Sequence, residues 1–407
     1  MAHSGQEKIH NGNEEFNEFE EVLVRRHLEA MRGELIGKLE GMDRRKAEEL
    51  LREGGYIDKG YVRRKVQTSV GPLWVRVKRL KRKNMRGSEY ALFRVCGVSR
   101  VSERAQRNCV QAAIGQSYGA SQETLKQLSG MEMSRMGIWK VVQECGRKER
   151  DRVEEQRRKV FERGEIPLSQ KPKKKAVVVQ IDGTLVATRE TTNIEEFRGK
   201  RRMEVKLGVA FSGTKAVSKT RRATVDRTLF GEVAAAEEFG ERWYGECLRQ
   251  GIDPETRVQV IGDGAAWIRN LQRTIFPGSR YTLDAYHLQK AAREVLTQRQ
   301  YDNFRSLVFR NQAPEALRYV RTLQGSDRQH REELENFSAY LERNLDGINY
   351  HMKGPIGSGV VEKIADIVVG RRMKHRGMSW SRQGANNLLA LRVHALNQAS
   401  DRRALES

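Results

Sequence analysis

Residues 257–270 read RVQVIGDGAAWIRN, and the meaning of the Asp263-Gly264 pair within them decides the fold. An Asp-Gly pair between apolar residues is by itself a hairpin signal, because Gly takes the positive φ of a tight turn. The residues beyond the pair do not read as a second strand. Residues 265–276, AAWIRNLQRTIF, carry Ala266, Ile268 or Arg269, and Leu271 or Ile275 at roughly helical spacing. The segment therefore reads strand, Asp-Gly, helix. Residues 175–184, KAVVVQIDGT, are a second short β-branched run ending in Asp182-Gly183, as expected of a buried strand. Side chains at strand ends of α/β sheets project beyond the sheet, where ligands sit. The glycine after each aspartate lets a neighbour approach the backbone closely.

Around these two strands the rest of the chain falls into place. TLVATRE (184–190) and RRMEVKLGVAFSG (201–213) read as further strands and 231–251 as a helix. SRYTLDAYH (279–287) reads as another buried strand that passes into helix at Ala285. From there to about Asn349 the pattern is helix upon helix. The glycine-rich loop KGPIGSG (353–359) then leads into a helix, VVEKIADIVVGRRMKHRG (360–377), and a last helix covers Arg382 to about Asn397. Between Ile367 and Ser400 there are six Lys or Arg and no acid.

Upstream, RGEIPLSQKPKKK (163–175) holds two of the seven prolines and a charge run, and marks a linker with a boundary near 168. Before it, residues 101–160 have the rhythm of helix, short turn, helix, with Ser121 and Ser134 placed as N-caps. The pattern suits a helix-turn-helix, although many helical hairpins look alike. Residues 61–86 alternate around Gly71-Pro72 as a β-hairpin, with ten Lys or Arg and no acid. Glu14 to about Leu51 reads as amphipathic helix, a structural or oligomerisation element. The expected organisation is a helical region at 1–60, a basic hairpin region at 61–100 and a helix-turn-helix-like domain at 101–165. An α/β region follows at 174–286, then a helical run at 287–350 and a further segment at 351–400.

The chain has 407 residues and a formal net charge of +23. Such a cationic excess points to a polyanionic partner, most often nucleic acid. The four cysteines form no C-x-x-C pair, so neither a zinc ribbon nor a disulfide framework is supported. No apolar run is long enough to span a bilayer and the N-terminus lacks a secretory pattern, so a cytoplasmic location is expected.

Three carboxylates stand out: Asp182, Asp263 and, on the glycine-led helix, Glu362. Taken singly, each has a bland reading, a turn for either Asp and a solvated helix position for Glu362. Together on a strongly basic chain they suggest a site for hard divalent cations, Mg²⁺ or Mn²⁺. Two such ions would clamp the oxygens of an in-line phosphoryl displacement. Asp284 and His287 form a further cluster, with a helix N-cap and a packed histidine as the plain alternative. Candidate DNA contacts are Arg76, Lys78, Lys81, Arg82 and Lys83 in the hairpin, His287, and Arg371, Arg372, Lys374, Arg376 and Trp380 near the C-terminus. Trp267 and Trp380 read first as packing residues.

IDGT (181–184), GDGAAWI (262–268), FPGSRYTLDAYHL (276–288) and above all residues 356–397, IGSGVVEKIADIVVGRRMKHRGMSWSRQGANNLLALRVHALN, carry a resemblance. At these residues the chain resembles bacterial insertion-sequence transposases of the DDE type, in the Kra-type and Lre-type group related to Mutator-like transposases. The resemblance covers roughly residues 175–400. It implies a ribonuclease-H-like α/β catalytic domain interrupted by an all-helical insertion and preceded by a mostly helical DNA-binding region. It implies a first aspartate on the first strand, matched by Asp182. A second after the fourth strand is matched by Asp263, and a glutamate on a late helix by Glu362. An acidic or cysteine residue with a nearby histidine, following the second aspartate, is matched by Asp284 and His287. Relatives often carry paired cysteines before the helix-turn-helix, where this chain has Cys96 and Cys109. The expected activity is metal-dependent cleavage and strand transfer at inverted repeats, with two Mg²⁺ or Mn²⁺ ions, double-stranded DNA as partner and a homodimer or larger assembly. The alternatives are a site-specific nuclease or resolvase on the same fold, and a non-catalytic DNA-binding regulator.

Overall fold

The computed structural model describes residues 4–83, 85–190, 196–197, 200–219, 222–350 and 357–405. The chain forms two compact units, Met1–Val142 and Gln143–Ser407. Their division falls inside a helix, so the linker expected at 163–175 belongs to the second unit.

The first unit opens with helix α1 (Ser4–Arg52), followed by strands β1 (Tyr56–Thr68), β2 (Gly71–Arg82) and β3 (Glu89–Tyr90) in an antiparallel sheet. Thr68 faces Gly71 at the turn, so Gly71-Pro72 opens β2 and is not itself the turn. Alternation of apolar residues turns Val66, Leu73, Val75 and Val77 inward against Leu92, Ile36, Leu39 and Met42. The free edge of β2 is covered by α1: Glu40 accepts the Arg76 N–H at 2.7 Å, and buried Asp43 accepts those of Lys78 at 2.6 Å and Leu92 at 3.0 Å. Sequestering edge amides in this way blocks strand addition. Helices α2 (Ala91–Arg94), α3 (Glu103–Gly115), α4 (Tyr118–Ser129) and the start of α5 (Arg135–Phe161) complete the unit. Ser134 accepts the Gly137 N–H at 3.1 Å and caps α5 as expected. Ser121 does not cap α4. Ser117 does so through the Ala120 N–H at 3.2 Å, while Ser121 is buried one turn in and donates back to the Ser117 carbonyl. Gly130 closes α4 in the left-handed conformation.

The second unit is a mixed α/β fold. After α5 come β4 (Ala176–Ala187), β5 (Glu196–Phe197), β6 (Lys200–Phe211), β7 (Gly213–Ala216), β8 (Arg222–Val225) and β9 (Thr228–Glu232). Helix α6 (Ala236–Arg249), β10 (Arg257–Gly262), α7 (Ala266–Ile275) and β11 (Arg280–Leu283) come next. The sheet runs β11-β10-β4-β6-β5, and β9 also pairs with β6. β6 lies antiparallel to both β4 and β9, whereas β10 is parallel to β4 and β11. Leaving aside the short β5, β7 and β8, the first three strands are an antiparallel meander, and the fourth and fifth are reached through α6 and α7. The core joins Val177, Val179, Ile181, Val260, Trp243, Phe239 and Ile268 to the helices beyond β11. These are α8 (Ala285–Val295), α9 (Gln298–Phe309), α10 (Ala313–Thr322) and α11 (Arg328–Arg343), the all-helical stretch expected from the sequence. Residues 353–356 of the glycine-rich loop lie outside the described residues. Beyond it are α12 (Gly359–Ala365), a π-helical turn at Asp366–Gly370, α13 (Arg371–Met373) and α14 (Arg382–Leu405).

Two expectations about these elements are corrected. TLVATRE is not a separate strand after a turn at Asp182-Gly183. It continues β4, which pairs with β6 without a break from Val178 to Ala187. The run of β-branched residues carries the strand straight through, and a Cβ at Gly183 would collide with the Glu204 carboxylate of β6. The expected single helix over 360–377 is broken by the π turn. Its extra residue rotates the surface, so Glu362 and Asp366 are exposed while Val369 and Met373 are buried. Buried Arg392 donates to the Val368 carbonyl at 2.7 Å and also to that of Ile367, serving carbonyls within the irregular turn.

Candidate active site

Asp182 sits in mid-strand on the β6 side, but on the other side the β10 ladder ends at Ile261 opposite Gln180. Asp182 thus lies where the parallel pairing stops, and Asp263 comes just after the end of β10. The chain reverses there through the Asp263 carboxylate, which accepts the Ala265 N–H at 2.8 Å. Gly264 has φ +90°, and a Cβ on it would lie 2.5 Å from the Tyr340 ring. The close approach expected at this glycine is made by α11: Tyr340 donates to the Asp263 carbonyl at 2.7 Å and Asn344 to that of Gly264 at 3.3 Å. Helix α11 therefore holds the turn at Asp263 in place.

Glu362 is brought to the same neighbourhood by a residue that sequence reading passed over. Gln180, two residues before Asp182 on the same strand face and 1% exposed, binds the start of α12 on both sides. Its Nε2 donates to the Gly357 carbonyl and its Oε1 accepts the Val361 N–H, each at 3.0 Å. The signal was one amide in an otherwise apolar strand, AVVVQID, since a buried polar group must find partners.

Asp284 caps α8 through the His287 N–H at 2.8 Å and also accepts the Ser358 N–H at the start of α12. The plain N-cap reading of Asp284 holds, and the same carboxylate ties α8 to α12. Burial alone would raise its pKa, but the bonds from His287 and Ser358 outweigh that and hold it at about 2. His287 stands 3.3 Å from Asp284, and chiefly through that bond its pKa is raised.

These groups influence one another electrostatically. Burial pushes the Asp182 carboxyl up to about 6; the Gly183 N–H opposes this, the charges of Asp263 and Glu362 add to it, and His287 opposes it. His287 in turn senses Asp284, Asp263 and Glu362. Lys374, bonded through Nζ to Thr184, has its pKa lowered by burial and by Arg202 and partly restored by Asp182. Carboxylates from β4, the β10 end and α12 thus share one field with a histidine and a lysine. Hard oxygen donors of this kind suit Mg²⁺ or Mn²⁺. Among the described residues no three His, Cys, Asp or Glu side chains are drawn close enough to form a ligand cluster. The donor chemistry fits a divalent cation, while the side chains stand in a looser arrangement than a bound ion requires.

The other C-terminal candidates separate. Arg376 is exposed, and Arg371 is exposed but paired with Asp366 at 2.9 Å. Arg372 and Trp380 are not displayed to a ligand. Arg372 is 1% exposed with its guanidinium 5.3 Å from the Trp380 ring centre, and the Trp380 indole donates to the Met373 carbonyl at 3.0 Å. Packing took these two because the segment after α13 folds back, with the Trp380 N–H bound to Ala187 at the end of β4. A cavity lined by Glu149, Arg152, Glu154, Glu232, Arg242 and Glu246 lies away from the carboxylates. Arg152, Arg242, Glu154 and Glu246 in its wall pair with acids and bases around them, which makes it a salt-bridged packing region.

In the first unit, the outward face of the hairpin carries Arg63, Lys65, Trp74 and Arg76, all exposed, with Tyr61 beside them. Lys81, Arg82 and Lys83 are exposed at the end of β2, whereas Lys78 is half-buried in an ion pair with Asp58 at 2.7 Å. One face is apolar and the other cationic, as the alternation implied; the exposed Trp74 and Tyr61 among the cations were not anticipated.

The family model that matches spans residues 9–406. The chain belongs to UPF0236, an uncharacterised protein family. No curated protein matches it. Among solved structures, the Drosophila P element transposase strand transfer complex is similar over 76% of this chain and 82% of that chain. Its identity is 10% and its TM-score 0.25, too low to carry an argument.

Proposed function

We propose that this UPF0236 chain is a DNA transposase with a ribonuclease-H-like catalytic domain, cleaving DNA and transferring the cut strand at the ends of its own element. The observation that carries the reading is that Gln180, two residues before Asp182, and Asp284, just after β11, both bond the start of the Glu362 helix, so that Asp182, Asp263 and Glu362 lie within electrostatic reach of one another. The order of elements supports it: one aspartate on the first main strand, one after the fourth, the glutamate on a late helix beyond a helical insertion. This is the arrangement implied by the DDE-type resemblance. The net charge of +23 and the cationic hairpin supply the means of holding a polyanion.

Asp182, Asp263 and Glu362 are the proposed ligands of two Mg²⁺ or Mn²⁺ ions. When bound, these would supply charge stabilisation to a phosphoryl displacement. The chain's own contribution is position. Gln180 and Asp284 fix the start of α12, and Tyr340 and Asn344 fix the turn after β10. Lys374 places a cation near the carboxylates, and the raised pKa of His287 favours its cationic form there; both would offset repulsion and could hold a phosphate oxygen. Arg76, Lys81, Arg82 and Lys83 are proposed to contact backbone phosphates, and two copies are proposed to act together on two element ends.

The test uses the purified full chain with Mg²⁺ or Mn²⁺ and a plasmid carrying the DNA that flanks its gene. Asp182→Asn, Asp263→Asn and Glu362→Gln should each abolish cleavage while DNA binding is retained. Excised or joined element DNA supports transposition; nicks alone support the nuclease or resolvase reading. Variants that leave every function intact support a non-catalytic regulator.

A further inference from the structure

The N-terminal part of α1 is longer than its unit uses. From Leu28 onward the helix packs along one stripe, Leu28, Arg32, Ile36, Leu39, Asp43, Lys46 and Leu50, all at least half-buried. From 13 to 27 every residue is exposed, a run of about 22 Å at 1.5 Å per residue, whose inner side at Glu20, Glu21, Val24 and Arg25 borders an open groove beside Lys126, Gln127 and Gly130 at the end of α4. That run carries large apolar residues: Phe16 and Phe19 are each 62% exposed and Leu23 38%, with the smaller Val22 and Val24 exposed to either side of them. Positions 16, 19 and 23 have the i, i+3, i+7 spacing of a single helical face. At 100° per residue this face lies opposite the packed stripe. Two phenylalanines and a leucine presented on one face of an exposed helix mark an interaction site.

Charge identifies the occupant. Residues 13–23 hold Glu14, Glu15, Glu18, Glu20 and Glu21 and no Lys or Arg. Residues 24–28 hold Arg25 and Arg26 and no acid. A second α1 running antiparallel sets the acidic block of each copy against the basic block of the other, whereas a parallel one stacks like on like. We propose that the projecting part of α1 pairs antiparallel with that of a second copy of this chain. Phe19 then meets Leu23 across a two-fold axis, and Glu15 of one copy lies beside Arg26 of the other. The contact is isologous, as closed dimers require, and its flanking charges set the orientation as they do in coiled coils. A contact of four helical turns buries less than the roughly 800 Å² per partner of a standard interface, so the dimer should dissociate on dilution.

The experiment needs no DNA, so it is independent of the catalytic reading: loss of cleavage with dimers intact would count against the transposase alone. Light scattering of the full chain over a concentration series should show a monomer–dimer equilibrium. Phe16→Glu combined with Phe19→Glu should leave a monomer with unchanged circular dichroism, since both side chains are exposed. Mixing Glu15→Cys chains with Arg26→Cys chains should give cross-linked heterodimers well above the wild-type background. A monomer at every concentration overturns the proposal, as does a dimer untouched by the double substitution. Preferential linking of 15 to 15 and 26 to 26 overturns the antiparallel arrangement.

Discussion

Asp182 is the residue at which burial and the proposed metal-binding role pull in opposite directions. Its carboxyl, at about 6 against an ordinary 3.8, favours the protonated form in the folded chain. That contribution to stability is complete below pH 3.8 and is lost as pH rises through 6. Without divalent cation, wild type should therefore lose on the order of 1–3 kcal/mol between pH 4 and 7, each pKa unit being worth about 1.4 kcal/mol. Asp182→Asn should flatten that slope and be the more stable chain at pH 7. Mg²⁺ should raise the melting temperature of wild type at pH 7 and do so less for the variant. Thermal melts from pH 4 to 8 with and without Mg²⁺ measure both, and parallel profiles for the two chains would sink the claim. The acidic residues and their glycines were legible in the sequence, but the two glycines turned out to serve different ends. Gly264 takes a positive φ and admits Tyr340, while Gly183 merely clears Glu204 within an unbroken strand. A dipeptide cannot tell these cases apart, because the difference lies in the neighbour.

At the scale of elements, what matters is how α12 is held. Gln180 satisfies one amide and one carbonyl at its start, and Asp284 satisfies another amide. Gln180→Leu removes both bonds and leaves the buried Val361 N–H without its partner, at a cost of about 1–3 kcal/mol. Because that start carries Glu362, the variant should lose more than tenfold in Mg²⁺-dependent cleavage at a temperature where it remains folded, and higher Mg²⁺ should recover part of it. A melting shift without a changed Mg²⁺ requirement would reduce Gln180 to an ordinary packing residue. The strands, the hairpin and the helical stretch could be read from hydrophobic period and turn chemistry. The π turn at Asp366–Gly370 could not, because it answers to Arg392, a residue distant in the sequence. The cap of α4 went to Ser117 and not Ser121 for a similar reason: two serines four apart are equal in the sequence, and packing buries one of them.

Across the whole molecule the cationic excess predicts binding dominated by phosphate contacts. DNA affinity should fall steeply as salt rises from 50 to 200 mM, and Arg76→Ala or Lys81→Ala should each lower the slope of log K against log salt by about one. A slope unaffected by either variant would move the interface away from the hairpin. Arg372 should differ from both, since it is spent on Trp380 inside the fold. Composition and period, summed over many residues, fixed the charge, the mixed α/β class, the cationic hairpin and the three acidic positions. Those properties are local or additive, so the chain carries them before it folds. Tertiary structure alone decided that β4 runs on past Asp182, that Gln180 and Asp284 hold the glutamate helix, and that Arg372 and Trp380 turn inward. Each of these depends on which distant group arrives to satisfy a buried polar atom or fill a space, and no stretch of sequence contains its own partner.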